Sequence, residues 1–394
     1  MSQPLRVVQV IDSLARAGAE QSLAMLAPHL VAEGVDLHVA YLVEREGLQA
    51  ELEDAGASVV SLAEPVASRR HWLARTTELI GDLRPSVVHT TLFEADLAGR
   101  RAAARQGVPS VSSFVNTTYE PAQAGRENVS PVKLRAAQAV DAWTARKVAR
   151  FHAVTDHVAD VMGRRLRVPR DKIEVIPRGR DGAVLGRRTP ERRSEVRARL
   201  GVGPDVPLVV AVGRQEPQKG LDVLLAAMPR LVADHPDLRV LVAGREGRAS
   251  AALGEAMRAA DLADTVTFLG QRDDVADLLV AADVFSFSSL WEGAGGTLIE
   301  AMALETPIVT SALPTLLETV DEGTAVLVEP GDSAALAAGI ARVLDDPGAA
   351  AGRAADARRR FEADFTIESC ARRMVALYEQ VTDTDRSPSG NGAR

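Results

Sequence analysis

The sequence predicts an α/β protein of two doubly wound parallel sheets facing a cleft. Three observations carry this. Short β-branched runs alternate with amphipathic helical stretches along the chain, the rhythm of parallel strands joined by crossover helices. That rhythm halts once, at "RGRDGAVLGRRTPERR" (178–193), a stretch rich in glycine and arginine, and then resumes. The length of 394 residues is too great for one ordinary core and suits two domains of about 150–200 residues each.

In the first half, strands are read at "RVVQVI" (6–11), "DLHVAYLV" (36–43), "ASVVSL" (57–62), "SVVHT" (86–90), "SVSSFV" (110–115), "FHAVT" (151–155) and "IEVIP" (173–177). Helices fill the gaps. One is "GAEQSLAMLAPHLVAEG", with apolar residues at helical spacing and a glycine stop at Gly34. The second cycle has strands at "PLVVAVG" (207–213), "LRVLVAG" (238–244), "TVTFLG" (265–270), "DVFSFS" (283–288), "PIVTS" (307–311) and "TAVLVE" (324–329). A last amphipathic helix, "TIESCARRMVALYEQV", precedes a stretch without apolar residues that reads as a disordered tail. The expected bounds are a first domain over 1–182, a second over 183–365, a helix over 366–382 and a tail over 383–394. Ligands in such sheets bind beyond the carboxyl ends of the strands, so the cleft between the domains is the expected site.

Composition narrows the function classes. Hydrophobic content of 46% and charged content of 25% are those of a soluble globular protein. The single cysteine, Cys370, excludes a disulfide framework and fits a reducing cytoplasm. "MSQPLRVVQVIDSL" runs almost directly into a strand, so no signal peptide is expected. No apolar window of about 18 residues suggests a membrane span. Net charge of −8 argues against a general nucleic-acid binder, which needs a basic face. Residues 1–182 hold 23 basic and 22 acidic side chains, so the acid is concentrated in the remainder. The clusters "TARKVAR" (144–150) and "RRLRVPR" (164–170) read first as solvated helix faces, and second as contacts for an anionic partner or membrane surface. Lysine occurs at only four positions, 133, 147, 172 and 219, so each hints that a compact ammonium was wanted.

The chemistry concentrates in "SSLWEGAGGTLIEAMALETPIV" (288–309), where Glu292 and Glu300 stand eight apart with Gly293, Gly295 and Gly296 between them. A strand leads into a loop, and helical periodicity takes over at about Thr297. Glycines at 295 and 296 leave the first helical amides uncovered, where the positive helix end favours an anion. That dipole contributes only about 0.3–1 kcal/mol per charge, too little to hold a diphosphate. "AVGRQEPQKG" (211–220), after the first strand of the second domain, offers Arg214 and Lys219 to complete the task.

With these residues the chain resembles the retaining glycosyltransferases of family 4, which have the GT-B fold of two Rossmann-like domains. The E-x7-E element is Glu292 to Glu300, and the G-R-x4-K-G element is Gly213-Arg214 to Lys219-Gly220. "FLGQRDDVADLLVAADVF" (268–285) and "LVEPGDSAALAAGIARVLDDP" (327–347) also look like that family's donor domain. "ARAGAEQSL" (15–23) and "VVHTTLFEADLAGR" (87–100) look like segments of its acceptor domain. The likeness covers nearly the whole chain.

The resemblance implies a transfer of sugar from a nucleotide-sugar donor, UDP- or GDP-linked, to an acceptor hydroxyl. Arg214 and Lys219 would hold the diphosphate and stabilise the leaving group. Glu300 would accept from the ribose hydroxyls, and the backbone near Gln271 and Arg272 would meet the base. Glu292 would lie near the transferred sugar, with amides of Gly295 and Gly296 at its hydroxyls or the β-phosphate, and Thr297 would be a further donor-binding residue. Gly18 would let its loop approach the same phosphates from the first domain, and the last helix would cross back onto that domain. Three features depart from the family. Val115 and Asn116 stand where many members have a cleft histidine, Ala294 replaces a bulky apolar residue, and Arg178 stands in the hinge "IPRGRD" where asparagine is common. Arg178 there would add a phosphate contact.

His29, His38, His71, His157 and His235 read as packing or surface residues and His152 as core. His89 ends a strand and stands open between packing and facing the acceptor; with Asn116 it is the acceptor-side candidate. No HxxxH, CxxC or carboxylate cluster suggests a metal site, and no cofactor is expected beyond the nucleotide-sugar substrate. The acceptor is a saccharide, a lipid-linked sugar or a small molecule, with peripheral association at the inner membrane face a further expectation for a cytoplasmic protein. Oligomeric state is not readable. The competing readings are a catalytically idle nucleotide-sugar-binding protein and an epimerase or phosphorylase on the same fold. A dinucleotide dehydrogenase is weaker, since no G-x-G-x-x-G follows the first strand.

Overall fold

The structure, a computed structural model, describes residues 4–45, 47–64, 68–119 and 130–386. The chain divides into two compact units, Met1–Gly179 with Ile367–Arg394, and Arg180–Thr366.

The first unit is built on seven parallel strands: β1 Leu5–Ile11, β2 Val35–Tyr41, β3 Ser58–Ser61, β4 Val87–Thr91, β5 Ser110–Phe114, β6 Arg150–Ala153 and β7 Ile173–Val175. Their order is β3-β2-β1-β4-β5-β6-β7. All the residues of β4 and β5 are buried, as strands covered by helices on both faces must be. Their polar side chains are therefore spent internally. Arg100, 1% exposed, lies between Asp96 at 3.0 Å and Asp141 at 2.6 Å and also donates to Ser112 Oγ.

Helix Ile367–Arg386 belongs to this first unit. Cys370, Met374, Leu377, Tyr378 and Val381 recur at helical spacing and pack with Leu23, Ala27 and Leu30 of helix Gly18–Ala32 and with β1 and β2. The helix runs on to Arg386, so residues 383–386, expected in a tail, are helical. The rest of the expected tail, 387–394, lies outside the described residues.

The second unit has six parallel strands: β8 Leu208–Val212, β9 Arg239–Ala243, β10 Val266–Gly270, β11 Val284–Phe287, β12 Ile308–Ser311 and β13 Val326–Val328. Their order is β10-β9-β8-β11-β12-β13. One face buries Val209, Leu224, Met228, Val240 and Ile340; the other buries Phe285, Phe287, Leu298, Met302 and Phe361. Strand order reverses between β8 and β11, as it does between β1 and β4 in the first sheet. At such a reversal the helices leave toward opposite faces, so a crevice opens beyond the carboxyl ends of the two strands. Both carboxyl ends at the second reversal carry residues singled out above.

Candidate active site

The loop after β8 and the loop after β11 are tied together by hydrogen bonds to their backbone carbonyls. Gln218 Nε2 donates to the Trp291 carbonyl at 2.8 Å, Leu290 N donates to the Gln218 carbonyl at 2.8 Å, and Ser288 Oγ donates to the Gly220 carbonyl at 2.9 Å. One glycine is needed for this. A Cβ on Gly220, whose φ is +58°, would stand 2.1 Å from the Ser288 carbonyl oxygen. A Cβ on Gly213 would press the Lys219 side chain at 3.0 Å.

Lys219 thereby reaches Glu292. Its Nζ donates to Glu292 Oε1 at 2.5 Å, and Ser289 Oγ donates to the same oxygen at 2.9 Å. Thr315 Oγ1 holds the Glu292 carbonyl at 3.0 Å. The side chains are 18% and 9% exposed, so this is a largely desolvated pair, with the ammonium also 5.4 Å from the Phe287 ring centroid.

Helix Gly296–Ala303 starts beside them, with Gly295 as its left-handed N-cap at φ 60°, ψ 61°. Packing explains both glycines. A Cβ on Gly295 would meet Leu316 at 2.8 Å, and one on Gly296 would meet Arg180 Nη2 at 1.9 Å. Arg180 Nε donates to Glu300 Oε1 at 2.7 Å, with both side chains largely buried. Thr297 is half-buried on the first turn. Arg214 is exposed and makes no side-chain hydrogen bond among the described residues. Gln271 is exposed past β10, and Arg272 beside it is paired with Asp274 at 2.6 Å. Lys219 with Glu292, and Arg180 with Glu300 and Gly296, thus form two paired groups at either end of the 292–300 segment, with Gly295 and Thr297 between them. A cavity of about 490 Å³ lined by Gln215, Ser250, Met257 and Phe268 is a different concavity, since it includes neither Lys219 nor Glu292.

In the first unit Gly18 opens helix Gly18–Ala32, and Arg178 Nη1 donates to its carbonyl at 3.0 Å. Asn116 is half-buried, its Oδ1 accepting from Thr117 N at 2.8 Å. His89 is interior, 4% exposed, which removes it from any acceptor-facing position. Its Nδ1 lies 2.6 Å from Tyr378 Oη and its Nε2 lies 2.7 Å from Ser113 Oγ; Ser113 Oγ lies 2.8 Å from His152 Nδ1, and His152 Nε2 lies 2.9 Å from the Ile176 carbonyl. The terminal carbonyl only accepts, so the direction of every bond follows. His152 Nε2–H donates to Ile176, Ser113 donates to His152, His89 Nε2–H donates to Ser113, and Tyr378 donates to His89. Both imidazoles are neutral. Burial, with the neighbouring His152, lowers His89 to about 3, and burial lowers His152 to about 4.

Two further features at the carboxyl ends of β1 and β4 carried no sequence signal. Asp12 Oδ1 accepts from Ala95 N at 2.7 Å, and burial nevertheless raises its pKa to about 6. Leu92, with φ 79° and ψ 163°, is a non-glycine residue in a backbone region that costs about 1–3 kcal/mol. Arg180 and Ser289 were also missed; the only trace of Arg180 is the second arginine of "IPRGRD". No group of three His, Cys, Asp or Glu side chains placed to share a metal occurs among the described residues.

Two family models match the chain, Glycosyltransferase Family 4 over residues 16–183 and Glycosyl transferases group 1 over residues 192–361. The sequence is also 33% identical over 314 residues to glycogen synthase of Mycobacterium tuberculosis, across 77% of this chain and 71% of that one. The chain belongs to the GT-B glycosyltransferases of family 4. This glycosyltransferase is 31% identical to D-inositol 3-phosphate glycosyltransferase of Actinosynnema mirum, across 76% of this chain and 73% of that one. It shares its fold with the solved structure of Anabaena Alr3699/HepE in complex with UDP and glucose, at a TM-score of 0.84 and 20% identity, over 95% of this chain and 100% of that one. No helix among the described residues is long and apolar enough to cross a membrane.

Proposed function

We propose that this glycosyltransferase moves a sugar from a nucleoside-diphosphate sugar to an acceptor hydroxyl with retention of anomeric configuration. The observation that carries this is the Lys219–Glu292 pair, delivered by β8 and β11 to the strand-order reversal beside the amino end of helix Gly296–Ala303. Lys219 and Arg214 neutralise the diphosphate, the amides of Gly296 and Thr297 add donors, and Glu300 accepts from the ribose. Retention follows from front-face attack. The acceptor oxygen bonds to the anomeric carbon as its bond to the β-phosphate oxygen breaks, and a phosphate oxygen takes the hydroxyl proton. Glu292 keeps the ammonium in place and stabilises positive charge on the ring.

The first test is a thermal-shift screen with UDP, GDP, ADP and their sugars, since a bound donor raises apparent stability by mass action. UDP-sugars are the leading probes because the Anabaena structure holds UDP and glucose. A shift with none of them sinks the proposal. Proton NMR of the product then reads the anomer, and incubation of donor without acceptor separates transfer from epimerisation and phosphorolysis.

Peripheral membrane association is supported by helix Pro131–Ala145. Val132, Val140 and Trp143 are exposed on it at 76%, 43% and 52%, flanked by exposed Lys133, Arg135, Arg146 and Lys147. Its acid, Asp141, is buried on Arg100. Exposed apolar residues amid unopposed basic ones suit an anionic lipid surface. Co-sedimentation with phosphatidylglycerol vesicles, absent with phosphatidylcholine and lost in Trp143→Ala, is the expected result; equal recovery with both lipids refutes it.

A further inference from the structure

Arg180 stands where helix electrostatics disfavour a cation. Its guanidinium lies over Gly296, the first residue of helix Gly296–Ala303, at the positive end of the helix dipole. A sequence serving the helix alone would put an acid there. The arginine is nonetheless built in with care. Its backbone N donates to the Phe365 carbonyl at 2.9 Å and its residue bridges to Thr366, so the main chain is fixed at the edge of the unit. Its side chain is 8% exposed, and its Nε donates to Glu300 Oε1 at 2.7 Å. Glycine at 296 is what makes room, because any side chain there would collide with Nη2.

We infer that Arg180 is a positioning residue for donor recognition, acting through Glu300. A glutamate one turn into a helix has three rotatable bonds and two equivalent oxygens. Tying Oε1 to a planar, buried guanidinium leaves one carboxylate orientation, with Oε2 offered to the ribose hydroxyls. Gly296 then serves the arginine, and the E-x7-E spacing works in this chain as a three-residue unit of Arg180, Gly296 and Glu300. The inference rests on the proposed ribose contact of Glu300 and adds that the contact depends on Arg180.

The experiment is calorimetric binding of UDP against 2′-deoxy-UDP and 3′-deoxy-UDP, or the matched guanosine set if GDP proves to be the nucleotide bound. Wild type, Glu300→Gln, Arg180→Ala, Arg180→Lys and Gly296→Ala are compared, each checked for a cooperative thermal transition. A charge-assisted hydrogen bond to a hydroxyl corresponds to roughly tenfold or more in affinity, so the wild type is expected to prefer the ribonucleotide by that factor. Glu300→Gln is expected to erase most of this preference. Arg180→Ala and Gly296→Ala are expected to reduce it several-fold, by loosening or displacing the guanidinium, and Arg180→Lys to restore it in part. In turnover the Arg180 variants raise KM for the ribose donor more than they lower kcat. A preference intact in Arg180→Ala, or in Gly296→Ala should Arg180→Ala fail to fold, but lost in Glu300→Gln overturns the inference and leaves the proposed function standing. A preference intact in Glu300→Gln removes the ribose contact itself.

Discussion

Lys219 and Glu292 are joined by a 2.5 Å ion pair with Ser289 on the same carboxylate oxygen, although 73 residues of chain separate them. A pair this desolvated is weak evidence of stability by itself, but removing one partner strands the other. Lys219→Ala and Glu292→Gln are each expected to destabilise the protein by about 1–3 kcal/mol, the buried-pair value discounted for partial exposure. The double variant is expected to lose less than the sum, read by urea unfolding. Turnover at saturating substrates should fall about 100-fold or more in Glu292→Gln. Wild-type turnover there removes Glu292 from the chemistry.

Gly220 holds the two loops in register. Gly220→Ala places a methyl group against the Ser288 carbonyl on a left-handed residue, a combination that costs more than about 1 kcal/mol. Displacement of residues 288–292 follows, with loss of both thermal stability and donor binding. An unchanged melting temperature contradicts the packing.

The chain Tyr378–His89–Ser113–His152 has a pH signature. Unfolded histidines bind protons below the ordinary value of 6.5, while the folded ones stay neutral down to about 3 and about 4. The contribution of these histidines to stability is therefore whole above pH 6.5 and falls as the pH drops toward 4, by about 1.4 kcal/mol per pH unit for each. Asp12 acts oppositely. Its folded value is raised to about 6 from 3.8, so its burial penalty develops between those values as pH rises and fades as pH falls. In urea melts at pH 7.0 and 5.0, the change in stability on going to 5.0 is expected to be less favourable than wild type in Asp12→Asn and more favourable in His152→Gln. Tyr378→Phe should cost about 1–3 kcal/mol by leaving His89 Nδ1 without a donor.

Metal-independent catalysis is the expectation when Lys219 and Arg214 supply the positive charge around the diphosphate. Turnover should survive dialysis against EDTA and gain little from added magnesium or manganese. Loss of activity on chelation, restored by one of these ions, overturns the expectation.

Much of this was legible before the fold was known. β-branched runs and helical stripes are local patterns, and all thirteen strands read from them occur in the two sheets. Lys219 and Glu292 were legible because each follows a strand and neighbours glycine. The last helix is longer than read, since "DTDR" is polar and continues a helix whose apolar stripe ends at Val381.

His89 shows where local reading ends. A polar residue at the end of a strand looks the same whether it faces a ligand or another interior group. Tyr378, 289 positions away, decides the matter. Arg180 is the converse case: a second arginine in a glycine-rich segment reads as solvated charge until Glu300 is found beside it. The sequence by itself determined the strand and helix order, the two-sheet class and the loops that bear the chemistry, because hydrophobic period and glycine placement act over a few residues. Tertiary structure alone decided which charges pair, which polar groups are sealed inside and what the glycines at 295 and 296 make room for. Those outcomes depend on desolvation and on contacts between residues far apart in the chain.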